Sequence, residues 1–416
     1  MALAQRACVA AGRRGWRPLS TAAAASGLAP GATSCCFASD NTRGALPEVL
    51  AAVAAANGPA SVPSYGADDL TAAAADAVIG FLGCHPDAAV LPAVSGIASD
   101  ALGLTPYAQP CSAVYAHEIS HVNLWQCGAV NFYTGAMLET IAGAHGKIDP
   151  LLLQGLLASK SASRSAAYLP SAAVVSVTQP TEAGTVYSLE ELREVCRIAH
   201  SHGVSVHMDG ARLANAVVAL GCTAAETTWE AGVDVVCLGT TKGGTLAAEA
   251  VVFFNPAGDT DINRYYPDTS DVPLESVGGA LDMVNVARRR KRAGHELSKN
   301  RFVAAQIVCY LEDDLWRRSA TNGNDSATAL AAALADAAPA DLDWVWQHPV
   351  ETNQLFMSLA DDEAGNAAAD RLGVAVGAVR WDSTIAGRIC VRMVTAFNTT
   401  AEEIAMARES MAGDAA

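Results

Sequence analysis

Short, almost unbroken apolar runs alternate along this chain with stretches where apolar side chains return every three or four residues. The runs AAVLPAVSG, SAVYAHE, AAVVSVTQ, VSVHMDG, VDVVCLGT and AEAVVFFN read as buried strands. Between them SLEELREVCRIAHSHG carries Leu189, Leu192 and Val195 at helix spacing and stops at Gly203, and TAAETTWEAG follows a helical pattern. Upstream, PEVLAAVAAAN starts a helix with Pro47 in its first turn, and LTAAAADAVIGFLG runs as another to Gly83. Strands alternating with helices predict a mostly parallel sheet covered on both faces, an α/β fold.

From Asn255 to Val286 the pattern dissolves into Pro, Gly, Asp and Ser. ARRRKRAGHELSKNRFVAAQIVCYLEDDLWRR then reads as one long helix, with the run Arg288 to Arg292 on a solvated face. Past Asn322 come a helix, ATALAAALADAA, and the strands WVWQHP, NQLFMSL and RICVRMVT: a second, smaller α/β unit. The expected domains are an extension at 1–36, a large domain with an N-terminal arm at 37–290, and a connecting helix with a small C-terminal domain at 291–416.

Composition narrows the partners. The 416 residues are 51% hydrophobic with net charge -16, which argues against nucleic acid or an anionic membrane surface. No apolar run approaches a membrane span. Eleven cysteines, an odd number without CxxC pairs, read as reduced thiols and not as a disulfide frame or metal site. Before Phe37 stand Arg6, Arg13, Arg14 and Arg17, with no acid until Asp40. That is the composition of a transit peptide, or of Ala/Arg-rich translation from an upstream start. The first places the protein in the mitochondrion or another organelle, the second in the cytoplasm.

The candidate chemistry lies in HMDGARLANA and, about thirty residues on, in LGTTKGG. Pyridoxal phosphate needs an amine to bind its aldehyde and a carboxylate for its pyridinium nitrogen. Lys242, just past a strand end, and Asp209, at another, can supply them. Asp209 also suits a helix N-cap. Thr240, Thr241 and Gly243 offer donors to a phosphate, and Ser95 and Gly96 can open a phosphate-binding turn at a helix N-terminus. Arg212 stands where a helix start disfavours a cation, which implies an anionic partner. His121, in HEISHVNLWQCGA, can stack on a cofactor ring.

Together these segments resemble the low-specificity L-threonine aldolases, of the beta-eliminating lyase/threonine aldolase family. The likeness runs through FASDNTRGALPEVL, PSYGADDLT, HVNLWQCGAVNFYTG, SVTQPTEAGTVY, HMDGARLANAVVALG, TWEAGVDVVCLGTTKGGTLAAEAVVFF, RKRAGHELSKNRF and RMVTAFNTT. It implies the fold of aspartate-aminotransferase-like (fold type I) pyridoxal phosphate enzymes, with a smaller C-terminal α/β domain. By position Lys242 resembles the cofactor-binding lysine, Asp209 the pyridinium partner, and His121 the ring-stacking histidine. Ser39, Arg212 and Arg392 resemble the carboxylate-binding group, Gly96 the phosphate-turn glycine, and Tyr65 falls in a Tyr-Gly segment near the active site and subunit interface.

The resemblance implies retro-aldol cleavage of L-threonine or L-allo-threonine to glycine and an aldehyde, in a homodimer or homotetramer. The β-hydroxyl proton would go to His121, Glu182 or a bound water. A lyase or aldolase for bulkier β-hydroxy amino acids such as phenylserine, or a non-catalytic cofactor-binding protein, would share the same residues. The chain departs from the family's pattern at five points, one of them an unusual loop, NRYYPDTSDVPLESVGGALDMVNVA, before the long helix. Ile97 replaces the usual Thr of the phosphate turn, leaving Ser95 or Ser99 to supply a hydroxyl. Gly243 replaces Asn, Gln126 replaces an acid, and TQPTEAG, with Thr181 and Glu182, has no His where some relatives carry one.

Overall fold

Seven of the predicted and unpredicted strands join in one sheet: β1 (Ala89–Ala93), β2 (Ser112–His117), β3 (Met137–Ile141), β4 (Ser171–Thr178), β5 (Ser205–Gly210), β6 (Val235–Gly239) and β7 (Glu249–Phe253). Their order is β1-β7-β6-β5-β4-β2-β3, with all neighbours parallel except at β7. Strand β7 runs antiparallel to both β1 and β6, so the other six strands all point the same way. Helices cover both faces, which is why β5, β6 and β7 carry buried side chains nearly throughout.

The computed structural model describes residues 36–161, 168–254, 283–381 and 385–413. The described residues fall within one compact unit. The predicted transit peptide therefore lies outside the described residues except for Cys36, as does most of the segment 255–286. A second, antiparallel sheet has the order β10-β11-β9-β8, from β8 (Trp344–Trp346), β9 (Gln354–Ala360), β10 (Val379–Trp381) and β11 (Arg388–Val394). Phe37 is fully buried in the core of this smaller sheet, beside Leu355, Met357 and Met393.

Local signals decide many boundaries. The helix Leu189–Ser201 opens on a reciprocal capping box between Ser188 and Glu191. The helix Asp69–Leu82 is capped by Asp68 and stopped by Gly83 in the left-handed region. Other expectations need correction. The long helix is three: Met283–Arg292, Arg301–Leu311 and Leu315–Ala337. Gly294 at φ 74°, then Asp313 and Asp314 at φ 50° and 55°, break the register. TAAETTWEAG forms turns and one 3-10 turn, Trp229–Ala231, and no helix. The basic run is only partly solvated, because Arg289 donates to Tyr133 O and Arg290 to Pro92 O.

The turn after β5 crosses the end of β6 at Gly239, where a Cβ would stand 2.5 Å from Ala211 Cα and 2.6 Å from Ala211 O. Both neighbours are backbone and cannot step aside. Gly239→Ala is expected to cost about 1–3 kcal/mol of stability, read as a lower urea midpoint. Gly80→Ala, in an exposed helix position with no atom within 4 Å, should instead be neutral or stabilising by up to about 1 kcal/mol. Equal effects of the two would refute the steric account.

Candidate functional site

The carboxyl edge of the parallel strands collects most of the expected residues. Ser95 and Gly96 follow β1, His121 follows β2, Glu182 follows β4, Asp209 lies in β5, and Lys242 follows β6. Open α/β sheets bind ligands at this edge. Here it faces a cavity of about 330 Å³ lined by Ser39, His121, Glu182, Arg212, Lys242 and Arg392. Arg392 comes from β11 of the smaller sheet, and Ser39 from the N-terminal segment. Aromatic side chains Trp125, Trp381 and Phe356 complete one wall.

Arg212 has its anion within the chain. Its Nε donates to Asp40 Oδ2 at 2.6 Å and its Nη2 to Oδ1 at 3.1 Å, a two-point ion pair. Asn353 adds a third donor to Asp40 at 3.2 Å. Burial alone would raise the Asp40 carboxyl, but Arg212 foremost and then Lys242 hold it below the ordinary carboxylate value. Arg212, not Asp209, occupies the cap position of the helix Leu213–Leu220. Asp209 closes a tighter turn instead, with Oδ1 accepting from Ala211 N at 2.9 Å.

Two cations in the cavity are unmatched. Arg392 stacks on Trp381, its guanidinium carbon 4.7 Å from the ring centre, and has no carboxylate partner among the described residues. Burial, with Arg212 adding, brings it down to about 10. The Lys242 amine has no hydrogen-bond partner among the described residues, and burial and then Arg212 push it below the ordinary lysine value. Asp40, Asp209 and Glu249 oppose that shift. An amine so placed is closer to its nucleophilic, neutral form than a surface lysine.

Other expected residues sit differently. Ser95 caps the helix Gly96–Leu104, accepting from Ala98 N at 3.2 Å, and keeps its hydroxyl hydrogen for an anion. Ser99 is buried and donates to Ser95 O, so it does not replace the hydroxyl lost at Ile97. The Thr240 and Thr241 hydroxyls both bond to Ala248 O, inside their own loop. Tyr65 lies outside the cavity lining, at φ 57°, with the Lys291 amine 5.6 Å from its ring centre. Gly243 has a local cause: a Cβ there would stand 2.0 Å from the Tyr310 hydroxyl. The tyrosine fills the space that an asparagine would need.

Sequence reasoning passed over Asp40, Asp100 and Trp381. Asp40 beside Ser39 in a DN pair looks like any turn acid, and only the fold brings it to Arg212. Asp100 lies buried in a helix beneath Asp209, and with His207 and Cys237, or with His121 and Asp209, it could hold a metal ion. In the first group His207 is already engaged, Nε2 with Cys237 Sγ at 3.2 Å and Nδ1 with the Ser176 hydroxyl at 2.9 Å.

Known proteins resemble this chain in sequence and in fold. The family model for beta-eliminating lyases matches residues 37–362. A "Low specificity L-threonine aldolase" of Pseudomonas sp. is 35% identical over 78% of this chain and 84% of its own length. Among solved structures, the threonine aldolase of Leishmania major aligns with TM-score 0.74 at 23% identity, over 90% of this chain and 98% of that one. A serine palmitoyltransferase of S. paucimobilis with bound PLP aligns with TM-score 0.59 at 17% identity, over 92% and 86%.

Removing the charge of Asp40 leaves Arg212 buried and unpaired. Asp40→Asn is expected to cost about 3–5 kcal/mol, the usual loss when one partner of a buried pair goes. The sign of the pH effect follows from the lowered carboxyl. The stabilisation is full above the unfolded-state value of about 3.9 and is lost as pH falls through the lower folded value. Chemical denaturation between pH 3 and 7 should therefore show a steeper acid-side decline in the unaltered protein than in Asp40→Asn, which keeps the share of the other lowered carboxylates such as Glu403.

Proposed function

The chain belongs to the beta-eliminating lyase family, and we propose that it works as a threonine aldolase with pyridoxal phosphate, cleaving L-threonine and L-allo-threonine to glycine and acetaldehyde. The carrying observation is that one cavity holds a half-buried amine, Lys242, and a half-buried guanidinium, Arg392, neither with a carboxylate partner among the described residues. An amino acid brings a carboxylate, and the cofactor brings an aldehyde. The curated relative is named for the same activity.

The donor set fits the cofactor. Lys242 would hold it, Asp209 has one carboxylate oxygen not used by Ala211 N, and the helix start at Ser95–Gly96 opens toward an anion with no atom within 4 Å of where a Gly96 Cβ would lie. Bound there, pyridoxal phosphate supplies the electron sink for the bond broken at the amino acid's α-carbon. The protein's own groups do the rest. Arg392 and Ser39, with only the Arg212 nitrogen that Asp40 leaves free, hold the substrate carboxylate, which fixes the rotation about the α-carbon and so the bond that is set to break. His121 packs against the cofactor ring, and a group in the cavity takes the β-hydroxyl proton.

We read residues 37–290 as the cofactor-binding part and 291–416 as the smaller part that brings Arg392. The active protein would be a homodimer or homotetramer. Exposed Trp125, Phe132 and Met137, at 51%, 80% and 56%, support an apolar contact with a second copy. No described helix is long and apolar enough to cross a membrane. Targeting to an organelle by residues 1–36 remains part of the proposal. A second reading, cleavage of bulkier β-hydroxy amino acids such as L-phenylserine, is favoured by the wall of Trp125, Trp381 and Phe356, whose rings meet at 5.3 and 6.5 Å.

The test is aldehyde release by the cofactor-loaded protein from L-threonine, L-allo-threonine and L-phenylserine. Acetaldehyde matched by glycine supports the main reading, and faster benzaldehyde release supports the second. Lys242→Ala should bind the cofactor without a borohydride-reducible link and lose at least a thousandfold in rate. Arg392→Gln should act chiefly on KM. Aldehyde from none of the three substrates would leave a non-catalytic cofactor-binding protein.

A further inference from the structure

Two groups in the cavity can accept a proton near the substrate, His121 and Glu182, and a buried amide separates their roles. Gln126 Nε2 lies 3.0 Å from His121 Nδ1. The same nitrogen donates to Asp100 Oδ2. An amide nitrogen carries two hydrogens, and these two contacts use both. With the amide in this orientation, which leaves Gln126 Oε1 without a partner among the described residues, Nδ1 faces a donor and accepts, so the single ring proton sits on Nε2. Gln126 is 3% exposed and Asp100 1%, which leaves no room for water to exchange with either contact.

Glu182 is built the opposite way. Its Oε1 accepts from His121 N at 2.6 Å and from Thr178 Oγ1 at 2.9 Å. Its Oε2 is closed to solvent and has no partner. It is the sole carboxylate among the described residues that line the cavity. We propose that Asp100 and Gln126 are positioning residues that hold His121 as its neutral Nε2–H form, and that the Glu182 carboxylate of the cavity lining, not His121, takes the β-hydroxyl proton. The second half rests on the aldolase reading.

In that step the substrate O–H bond breaks and its proton passes to Glu182. The O–H electron pair becomes the second C–O bond of the aldehyde. The Cα–Cβ pair stays on the glycine fragment, and a proton returned at Cα closes the balance. Burial and the charge of Asp209 raise the Glu182 carboxyl to about 7, a value suited to a base at neutral pH. Lys242, Arg212, Arg392 and His348 face the same cavity.

His121 is lowered by burial, with Lys242 and Arg212 adding and Asp209 opposing. Asp100, facing Asp209, Cys237 and Lys242, is pushed well up by burial and by Asp209. A neutral carboxyl there still accepts from Gln126 through Oδ2, and its Oδ1 lies 3.6 Å from His207 Nε2. An acid at 126, as the family pattern has it, would instead accept a hydrogen from His121 Nδ1 and turn Nε2 into a base. The amide at this position therefore removes one proton acceptor and leaves the other.

Solid-state nitrogen spectra of the full-length holoenzyme, labelled at histidine and assigned by loss of the His121 signal in His121→Asn, test the first half. Nδ1 should be of the unprotonated, pyridine type, and Gln126→Glu should make it the protonated, pyrrole type. A pyrrole-type Nδ1 in the unaltered protein would overturn the assignment. For the second half, kcat/KM on L-threonine should fall on the acid side of about pH 7. Glu182→Gln keeps an oxygen for the His121 N–H, so the cofactor's visible absorption should persist while kcat falls about 100- to 10,000-fold and the acid limb disappears. An unchanged limb in Glu182→Gln would overturn that half. No aldehyde from the unaltered protein would overturn the aldolase reading and the Glu182 step with it, while the nitrogen spectrum still decides the state of His121.

Discussion

The pairing of Asp40 with Arg212 is the contact on which the cavity depends. Two opposite charges removed from water gain little over an apolar pair of the same size. This one is useful for where it sits. Asp40 belongs to the N-terminal segment, Arg212 to the turn after β5, and Asn353, which also binds Asp40, to the approach to β9. Three distant parts of the chain thus converge on one carboxylate, and Ser39 and Lys242 are fixed beside it. Because Asp40 neutralises one of two neighbouring guanidinium groups, Arg392 is left as the cavity's uncompensated cation toward the smaller sheet. A site with both arginines unpaired would repel itself, and one with both paired would not attract a carboxylate.

The larger sheet could be read from the sequence because its strands are buried on both faces. Apolar runs such as VDVVCLGT and AEAVVFFN have no other economical explanation, and the residues at their ends fall at one edge. Lys242, Asp209 and His121 were legible for that reason, since each follows or ends a strand. β3 was not legible. It is the sheet's edge strand, with Met137 exposed and only Ile141 fully buried, so its sequence lacks the apolar run. Three-residue β10 gives too little pattern to detect.

What the sequence could not carry were contacts made across long separations. Asp40 and Arg212 are 172 residues apart, and nothing near either residue announces the other. The broken long helix is a subtler case. Apolar periodicity continues across Asp313 and Asp314, yet both adopt left-handed backbone, which costs most residues dearly and Asp less. Periodicity reports which face is buried, and the axis can still turn between one helix and the next. Similarly Asp209 has the chemistry of a helix cap, but the tight turn to Ala211 uses its carboxylate one step before the helix begins.

The departures from the family pattern have local physical reasons. At Gly243 the space beside the lysine loop is taken by Tyr310, so the residue before Gly244 must lack a side chain. At Gln126 an amide stands in place of an acid, and a buried carboxyl reappears one hydrogen bond away at Asp100. The carboxyl has in effect moved one step away from His121, behind an amide whose nitrogen faces both groups. At Ile97 no neighbouring hydroxyl substitutes, because Ser99 points back to Ser95 O. The first two changes alter the surroundings of the lysine and the histidine without removing either. The third falls on the phosphate turn, where backbone N–H groups at the helix start supply donors whatever the side chain. Each substitution therefore spares the group that the chemistry requires, and a chain that had lost its catalytic function would have no reason to spare all three.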